Sequence, residues 1–84
     1  TFLEEVSNEQ VCVLKKVYDG KELLIVFNIS TEESTVDLSD VSLNNSLVKG
    51  GDATIKGDLS VGTDTSALED GILTLPEYGT VVIW

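Results

Sequence analysis

The strongest structural signal in the chain is the segment Glu22-Leu23-Leu24-Ile25-Val26-Phe27-Asn28. Its five consecutive apolar residues leave no polar face, so the segment cannot lie half in water. A buried helix is the alternative, but the run is short, contains β-branched and aromatic residues, and is bounded by turn-forming residues. We therefore predict a central strand that is covered on both sides.

A turn signal lies immediately before this segment. Asp19-Gly20 separates two apolar runs, and an Asp-Gly pair in that position is the strongest short-range signal of a β-hairpin. We therefore predict that residues 11–18 pair in antiparallel fashion with residues 22–28. In the first strand the odd-numbered side chains share one face and the even-numbered side chains share the other, and the strand becomes more polar toward Tyr18.

The rest of the chain adds further strand signals. Residues 35–38 alternate with period two, which predicts a third strand that follows the second as a meander. Residues 39–70 are rich in turn-forming residues and predict loops with one or two short strands. Residues 71–75 and 80–84 predict apolar strands, separated by Pro76, which cannot donate to a sheet ladder. We predict an all-β fold: an antiparallel two-sheet β-sandwich of seven or eight short strands, of Greek-key type.

The charge balance excludes two classes of partner. The chain carries 15 acidic residues against five lysines and no arginine, so its formal net charge is −10. Such a chain repels phosphate backbones and anionic lipid, and it lacks the side chain best suited to bidentate phosphate contacts. The longest apolar run is also far below the roughly 20 residues that a spanning helix needs. We therefore expect neither nucleic acid nor a membrane as a partner.

Side chains that commonly carry catalysis or bind metals are scarce. Because the chain has no histidine, no His-based general base or His metal site can form within it. The single cysteine, Cys12, cannot form an intramolecular disulfide and is predicted to be a small core residue. The segment from Asp58 to Asp64 offers oxygen ligands but lacks the acid spacing and the distal glutamate of a calcium loop. We predict no metal site and no cofactor.

Three pairs of neighbouring acidic residues are candidates for glycosidase-type acid–base chemistry: Glu4-Glu5, Glu32-Glu33 and Glu69-Asp70. Such chemistry needs two carboxylates about 5–10 Å apart, one of them commonly with a pKa raised by an apolar setting. In a strand, adjacent side chains point to opposite faces, and in a turn both are solvated. We therefore predict no catalytic residue in this chain.

The aromatic residues are candidates for contacts with sugar or with another protein surface, with simple aromatic packing as the alternative. Phe27 belongs to the central strand and is predicted to be core. Tyr18, beside the hairpin turn, and Tyr78, in the turn before the last strand, are predicted to be exposed together. Trp84 is predicted to join the core or an interface, and Phe2 or Trp84 to contribute to an exposed apolar patch.

Three segments carry a resemblance to a known family. The first is Phe2-Leu3-Glu4-Glu5 followed by Val11-Cys12-Val13-Leu14-Lys15-Lys16. The second is Lys21-Glu22-Leu23-Leu24-Ile25-Val26-Phe27-Asn28-Ile29-Ser30, and the third is Gly71-Ile72-Leu73-Thr74-Leu75-Pro76-Glu77-Tyr78-Gly79-Thr80-Val81-Val82-Ile83-Trp84. In order and spacing they resemble the C-terminal β domain of α-amylase-family enzymes, glycoside hydrolase family 13. Many relatives have arginine after the first apolar run, where this chain has Lys15 or Lys16.

The resemblance implies a function as well as a fold. It implies that residues 1–84 form a single C-terminal accessory domain, a fragment of a longer enzyme that acts on starch-like α-glucans. The active-site carboxylates of the family lie on a catalytic (β/α)8 barrel, so no catalytic residue carries over and this fragment itself is expected not to be an enzyme. The implied partner is that barrel, in the same polypeptide. The implied role is to pack against it for stability and to help position substrate, which would add a starch-like polysaccharide as a second partner.

Two other functions fit the same residues. One is a carbohydrate-binding module that holds polysaccharide through Tyr18, Tyr78 or Trp84. The other is an immunoglobulin-like spacer or adhesion domain of a surface protein, which shares the sandwich architecture. The resemblance favours an accessory domain of a glycosidase over both.

Overall fold

The computed structural model describes residues 2–4, 6–60 and 64–84, and its regular structure is all-β, as predicted. This part of the chain contains no helix long and apolar enough to cross a membrane. It contains nine strands: β1 (Val11–Tyr18), β2 (Lys21–Asn28), β3 (Ser34–Asp37), β4 (Ser42–Leu43), β5 (Ser46–Leu47), β6 (Ile55–Leu59), β7 (Ala67–Glu69), β8 (Ile72–Leu75) and β9 (Thr80–Ile83). Two of them, β4 and β5, have two residues each, which is why the sequence pattern indicated seven or eight.

The strands form antiparallel sheets that pack as a β-sandwich. One sheet has four strands in the order β1-β2-β9-β6, a second has three in the order β3-β8-β7, and β4 and β5 pair as a short hairpin. The predicted hairpin of β1 and β2 is confirmed, and Tyr18 lies opposite Lys21 beside its turn. Asp19 and Gly20 have positive φ angles of 53° and 79°, as both central residues of a type I′ turn require.

The predicted meander from β2 to β3 is wrong. The second neighbour of β2 is β9, the last strand, while β3 crosses to the three-stranded sheet and pairs with β8. The physical reason is that β2 and β9 are apolar on both faces and suit the middle of a sheet, whereas Thr35 and Asp37 give β3 one wet face. The last strand thus returns to lie beside the second, and the predicted Greek-key type stays a prediction.

The core lies between the two sheets, and its buried hydrophobic side chains in the described residues are all valine, leucine or isoleucine. They are Val11, Val13, Leu24, Val26, Val81 and Ile83 from the four-stranded sheet, Val36, Leu73 and Leu75 from the three-stranded sheet, and Leu38, Val41, Leu43 and Val48 from the segment after β3. Leu24 and Val26 are the inward residues of β2, and burial of such side chains stabilises the fold by about 1.5–3 kcal/mol each. The partly buried residues that pack against this core are Leu3, Val6, Ala53, Ile55 and Leu68.

Asn28 closes one end of the core although its side chain is polar, and it is only 2% exposed. Its Nδ2 donates to the carbonyls of Glu32 at 2.7 Å and Pro76 at 3.0 Å, with a longer contact to that of Leu75. Its Oδ1 accepts from the N–H of Ser30 at 2.9 Å and from the hydroxyl of the same residue at 2.7 Å. The buried amide thus joins the end of β2 to the following loop and to the end of β8 without an unsatisfied group.

The described parts of residues 39–70 contain four strands, β4 to β7, rather than the one or two expected. Their strand signals are weak because these strands are short and largely exposed.

The β4–β5 hairpin is joined to β2 by hydrogen bonds between Asn44 and Glu22. The Glu22 N–H donates to Asn44 Oδ1 at 2.9 Å, and Asn44 donates from its N–H to the Glu22 carboxylate at 2.8 Å and from its Nδ2 to the Glu22 carbonyl at 3.1 Å.

Candidate functional site

The outer surface of the four-stranded sheet carries two adjacent rows of mostly apolar side chains. Strand pairing places Phe2, Leu14, Ile25 and Val82 in the first row, and Cys12, Phe27, Thr80 and Leu59 in the second. Residues that lie opposite each other in paired strands share a face, and these positions alternate with the buried residues of the core. Both rows therefore point away from the core. We call these two rows the apolar face.

The apolar face is only partly covered. Ile25 and Phe27 are half-buried, and neither of them belongs to the core or packs against it. Phe2 is 51% exposed and Leu59 is 74% exposed. Two predictions are therefore wrong for the chain by itself: that Phe27 is a core residue, and that the central strand is covered on both sides. One side of β2 faces the core, and the side that carries Ile25 and Phe27 is partly exposed. An uncovered apolar surface of this kind commonly marks a binding surface.

Cys12 belongs to the apolar face and not to the core, contrary to the prediction. It lies opposite Phe27, is half-buried and has a free thiol. The reason is the alternation of the strand, since its neighbours Val11 and Val13 occupy inward positions and are fully buried.

Phe2 is positioned by backbone bonds along the edge of β1. It forms an isolated bridge with Leu14, and the N–H of Leu3 donates to the Val13 carbonyl at 2.8 Å. Ser7 Oγ donates to the Leu3 carbonyl at 2.7 Å and accepts from the Val13 N–H at 3.0 Å. These bonds hold Phe2 as an extension of the first row beyond the sheet edge. Its predicted exposure is confirmed, and its role as a contact stays a prediction.

Tyr18 and Trp84 border a groove beside the apolar face, at the hairpin end of the same sheet. The groove has a volume of about 290 Å³ and is lined by Tyr18, Asp19, Lys21, Glu22, Leu23 and Trp84. Trp84 follows the inward-facing Ile83 and therefore faces outward, beside Leu23 of β2. Tyr18 is 75% exposed and Trp84 is 42% exposed, so Trp84 is not a core residue. We call this site the aromatic groove.

Trp84 is held in place by contacts with Thr54 and Lys56. Its N–H donates to the Thr54 carbonyl at 3.3 Å, and its carbonyl accepts from the Thr54 N–H at 3.0 Å. Lys56 Nζ donates to the same Trp84 carbonyl at 2.7 Å and lies 5.3 Å from the centroid of the Trp84 ring. That distance is within the range of a cation–π contact. The Trp84 backbone is thus fixed, Lys56 lies over the ring, and much of the side chain stays exposed.

Tyr78 lies at the opposite end of the sandwich from Tyr18. Its N–H donates to the Ser30 carbonyl at 3.2 Å, just beyond the end of β2 that is far from the hairpin turn. β2 spans eight residues, so the two tyrosines are separated by roughly 25 Å along the sheet. Both are exposed, but the prediction that they are exposed together is wrong.

The acidic pairs considered for catalysis lie in water where the structure describes them. Glu32, Glu33, Glu69 and Asp70 are all exposed. Glu4 is exposed as well, while its neighbour in the first pair lies outside the described residues. None of these five residues lies in the apolar surroundings that a glycosidase acid needs.

Two other carboxyl groups have a perturbed pKa, and both shifts are downward. The backbone hydrogen bond from Asn44, followed by the contact of Lys15 Nζ at 3.0 Å, lowers the pKa of Glu22. Hydrogen bonds from the hydroxyl and then the N–H of Ser39 lower the pKa of Asp37. These bonds favour the charged form, which is the opposite of what a general acid at neutral pH requires.

Within residues 2–4, 6–60 and 64–84, no three His, Cys, Asp or Glu side chains form a group suited to a metal ion. The loop considered for calcium includes residues 61–63, which lie outside the described residues. Of its flanks, Asp58 accepts from the N–H of Ser66 at 2.9 Å and from its hydroxyl at 3.3 Å. Ser60 Oγ donates to the Asp64 carbonyl at 2.9 Å.

A solved structure with the same architecture is Eubacterium rectale Amy13B, an amylase chain. The two structures align with a TM-score of 0.82 and 28% sequence identity, and the match covers 99% of this chain. This chain has the fold of a small domain of an amylase. It matches 14% of the Amy13B chain, so most of that protein lies outside the match.

No protein-family model matches the chain, and no curated protein matches it. The structural match nevertheless confirms the resemblance that the three sequence segments indicated, since it extends over nearly the whole chain. It favours a domain of an amylase-like enzyme over an immunoglobulin-like spacer.

The sequence pattern did not identify Leu14, Leu59 and Val82 as members of an exposed apolar face. A signal for two of them was present, because β1 and β9 carry apolar residues at consecutive positions although a sandwich sheet needs only one apolar side. Leu59 gave no such signal, since it is an isolated apolar residue whose neighbours on the sheet are set by distant pairing.

Proposed function

We propose that this chain is a non-catalytic accessory domain from the C-terminal end of an amylase-like glycoside hydrolase that acts on α-glucans, and that its apolar face packs against the catalytic (β/α)8 barrel of the same polypeptide. The observation that carries the proposal is the open side of β2. Ile25 and Phe27 on that side are as apolar as the buried Leu24 and Val26 on the other. A strand with two apolar sides suits a sheet that is covered on both faces.

The size of the structural match supports a partner within the same polypeptide. The chain corresponds to 14% of Amy13B, so a domain of this kind occurs there as one part of a much longer chain. A domain of this length buries only about 60–65% of its unfolded surface, and packing against a larger body adds to its stability.

The apolar face offers enough area for such packing. Moving a large apolar side chain from about one-third exposure to full burial contributes roughly 0.5–1 kcal/mol. Both rows lie side by side on one nearly continuous surface, from Phe2 at one edge to Leu59 at the other. Their combined burial therefore contributes several-fold more than any one side chain, against the cost of ordering the interface.

The thiol of Cys12 provides a direct test, because it is the single cysteine of the chain and lies within the apolar face. We expect a water-soluble thiol reagent to label Cys12 readily in the 84-residue chain. In the longer polypeptide that contains this chain, labelling at Cys12 should slow by about tenfold or more, since each 1.4 kcal/mol of interface that must open reduces the exposed population tenfold. Mass spectrometry of the labelled peptide measures both rates.

The matched control moves the thiol to the other sheet. In the double variant Cys12→Ser, Thr35→Cys, the thiol lies on the exposed side of β3 and should react at the same rate in the short chain and in the longer polypeptide. Equal labelling of Cys12 in both proteins would overturn the proposal.

A further inference from the structure

We propose that the aromatic groove is a binding site for an α-glucan oligosaccharide, in which Tyr18 and Trp84 provide the surfaces for stacking against sugar rings. Pyranose rings present C–H groups on their faces and hydroxyls at their edges. A site that recognises them therefore combines exposed aromatic surface with a few polar groups at the rim.

The geometry of the groove meets this requirement. Tyr18 lies on β1 and Trp84 follows β9, with β2 between them, so their backbones are separated by two strand spacings and offset by two residues, roughly 12 Å in all. Leu23 lies between them on the same side of the sheet. A volume of about 290 Å³ is at the lower end of the range for small-molecule sites and suits a short oligosaccharide.

Both aromatic residues are held by rigid elements. Tyr18 ends a strand that is paired along its full length and is followed by the tight turn at Asp19 and Gly20. Trp84 is fixed by its backbone pairing with Thr54 and by Lys56. A groove that is already formed loses less entropy when a ligand binds.

The polar rim favours a neutral ligand with many hydroxyl groups. Asp19 offers a carboxylate acceptor and Lys21 an ammonium donor, and their opposite charges favour no net charge on the ligand. Glu22 also lines the groove, while its carboxylate is engaged by Lys15 and Asn44. The net charge of −10 disfavours an anionic ligand.

The groove and the apolar face occupy different parts of the sheet. Tyr18 and Leu23 lie nearer the hairpin turn than both rows of the apolar face, whose nearer row contains Ile25. The groove can therefore stay open when the rows are covered. The choice of α-glucan rests on the proposed function, because the ligand would then be a substrate of the attached barrel.

Trp84 is the single tryptophan of the chain, so its fluorescence reports directly on the groove. We expect maltotriose, titrated into the 84-residue chain up to about 20 mM to cover millimolar Kd values, to shift or quench this fluorescence with saturation. Tyr18→Ala should weaken binding by about tenfold through loss of one stacking surface. Lys21→Ala, which removes a rim donor, should weaken it by about threefold.

Tyr78→Ala is the matched control, since it removes the same type of side chain, also exposed, at the far end of the sandwich and should leave the affinity unchanged. Thermal unfolding establishes that each variant is folded. If Tyr18→Ala is unfolded, the affinity of Lys21→Ala for maltotriose tests the site. Cellotriose, which has β-linkages, should bind at least several-fold more weakly than maltotriose.

A fluorescence signal that does not respond to maltotriose would overturn the proposed site, and so would an equal loss of affinity in Tyr78→Ala and Tyr18→Ala. Stronger binding of cellotriose would contradict the ligand class. None of these results bears on thiol labelling of Cys12, so failure of the sugar site and failure of the packing interface are distinguishable.

Discussion

The outer faces of the two sheets differ in chemistry although the inner faces are alike. The four-stranded sheet presents Ile25 and Phe27 outward, in rows that extend from Phe2 to Leu59. The three-stranded sheet presents mainly polar and small residues outward, namely Thr35, Asp37, Ala67, Glu69, Ile72 and Thr74. On their inner sides both sheets bury mainly aliphatic side chains around the shared core, and the buried polar residues among those described are Asn28 and Ser34.

The three-stranded sheet has an outer face suited to water, whereas the four-stranded sheet has a second apolar side. A sandwich needs one apolar side per sheet, and the three-stranded sheet follows that pattern. The four-stranded sheet has two apolar sides, as sheets do when both of their faces are covered. The unequal polarity of the two outer faces is the feature on which the proposed packing depends.

The largest expected effect comes from comparing the closed and open sides of β2. Leu24→Ala removes a fully buried side chain and should lower the free energy of unfolding of the 84-residue chain by about 2–5 kcal/mol. Ile25→Ala removes a half-buried side chain of similar size and should cost about 1 kcal/mol or less. Urea unfolding of the two variants measures both. Equal losses would mean that the outer side of β2 is already closed in the isolated chain.

A smaller loss of unfolding free energy is expected for variants of Asn28, the buried polar residue at the end of β2. Asn28→Ala leaves the carbonyls of Glu32 and Pro76 without their side-chain donor and should lower the free energy of unfolding by about 1–3 kcal/mol. Asn28→Asp places a carboxylate against those carbonyls, which raises the pKa of the introduced group, so its destabilisation should lessen as the pH falls through that pKa. Urea unfolding at several pH values tests both variants, and a pH-independent loss in Asn28→Asp would exclude this account of the Asn28 bonds.

The smallest expected effect is a change in how the melting temperature depends on pH, and it concerns Asp37 on the outer face of the three-stranded sheet. Ser39 lowers the pKa of Asp37 below its ordinary value of 3.8 in the folded state. A depressed folded pKa contributes stability above the unfolded pKa, and this contribution is lost as the pH falls through the folded pKa. The melting temperature of Asp37→Asn should therefore fall less steeply than that of the unaltered chain below about pH 4.

Glu69→Gln is the control for that measurement, because it removes one negative charge from the same outer face. A change of slope in Glu69→Gln as large as that in Asp37→Asn would point to the overall charge of the face. It would then exclude the Ser39 hydrogen bonds as the cause.

Local rules accounted for much of the fold. The Asp19-Gly20 turn fixed the β1–β2 hairpin and its register, and alternation then assigned Val11 and Val13 to one side and Cys12 to the other. These features depend on residues close together in the chain. The sequence also showed that β2 has two apolar sides, which is the property from which the packing proposal follows.

The same rules left part of the candidate site undefined. Alternation separated Cys12 from its neighbours but gave no indication of which side of β1 faces the core. The signals for Tyr18 and Tyr78 were equal, since both are aromatic residues beside turns, and nothing near either one indicated that they lie at opposite ends. Leu59 entered the apolar face through pairing with Thr80, a contact between segments far apart in sequence.

By itself, the sequence determined the strand class, the first hairpin and the presence of more apolar surface than one core can use. Only the tertiary structure decided that β9, and not β3, lies beside β2, and that Trp84 therefore meets Leu23 and Tyr18 in one groove. The physical reason is that apolar strands are nearly interchangeable as local signals. Their order in a sheet is chosen by the packing of the whole chain, through contacts between residues far apart in sequence.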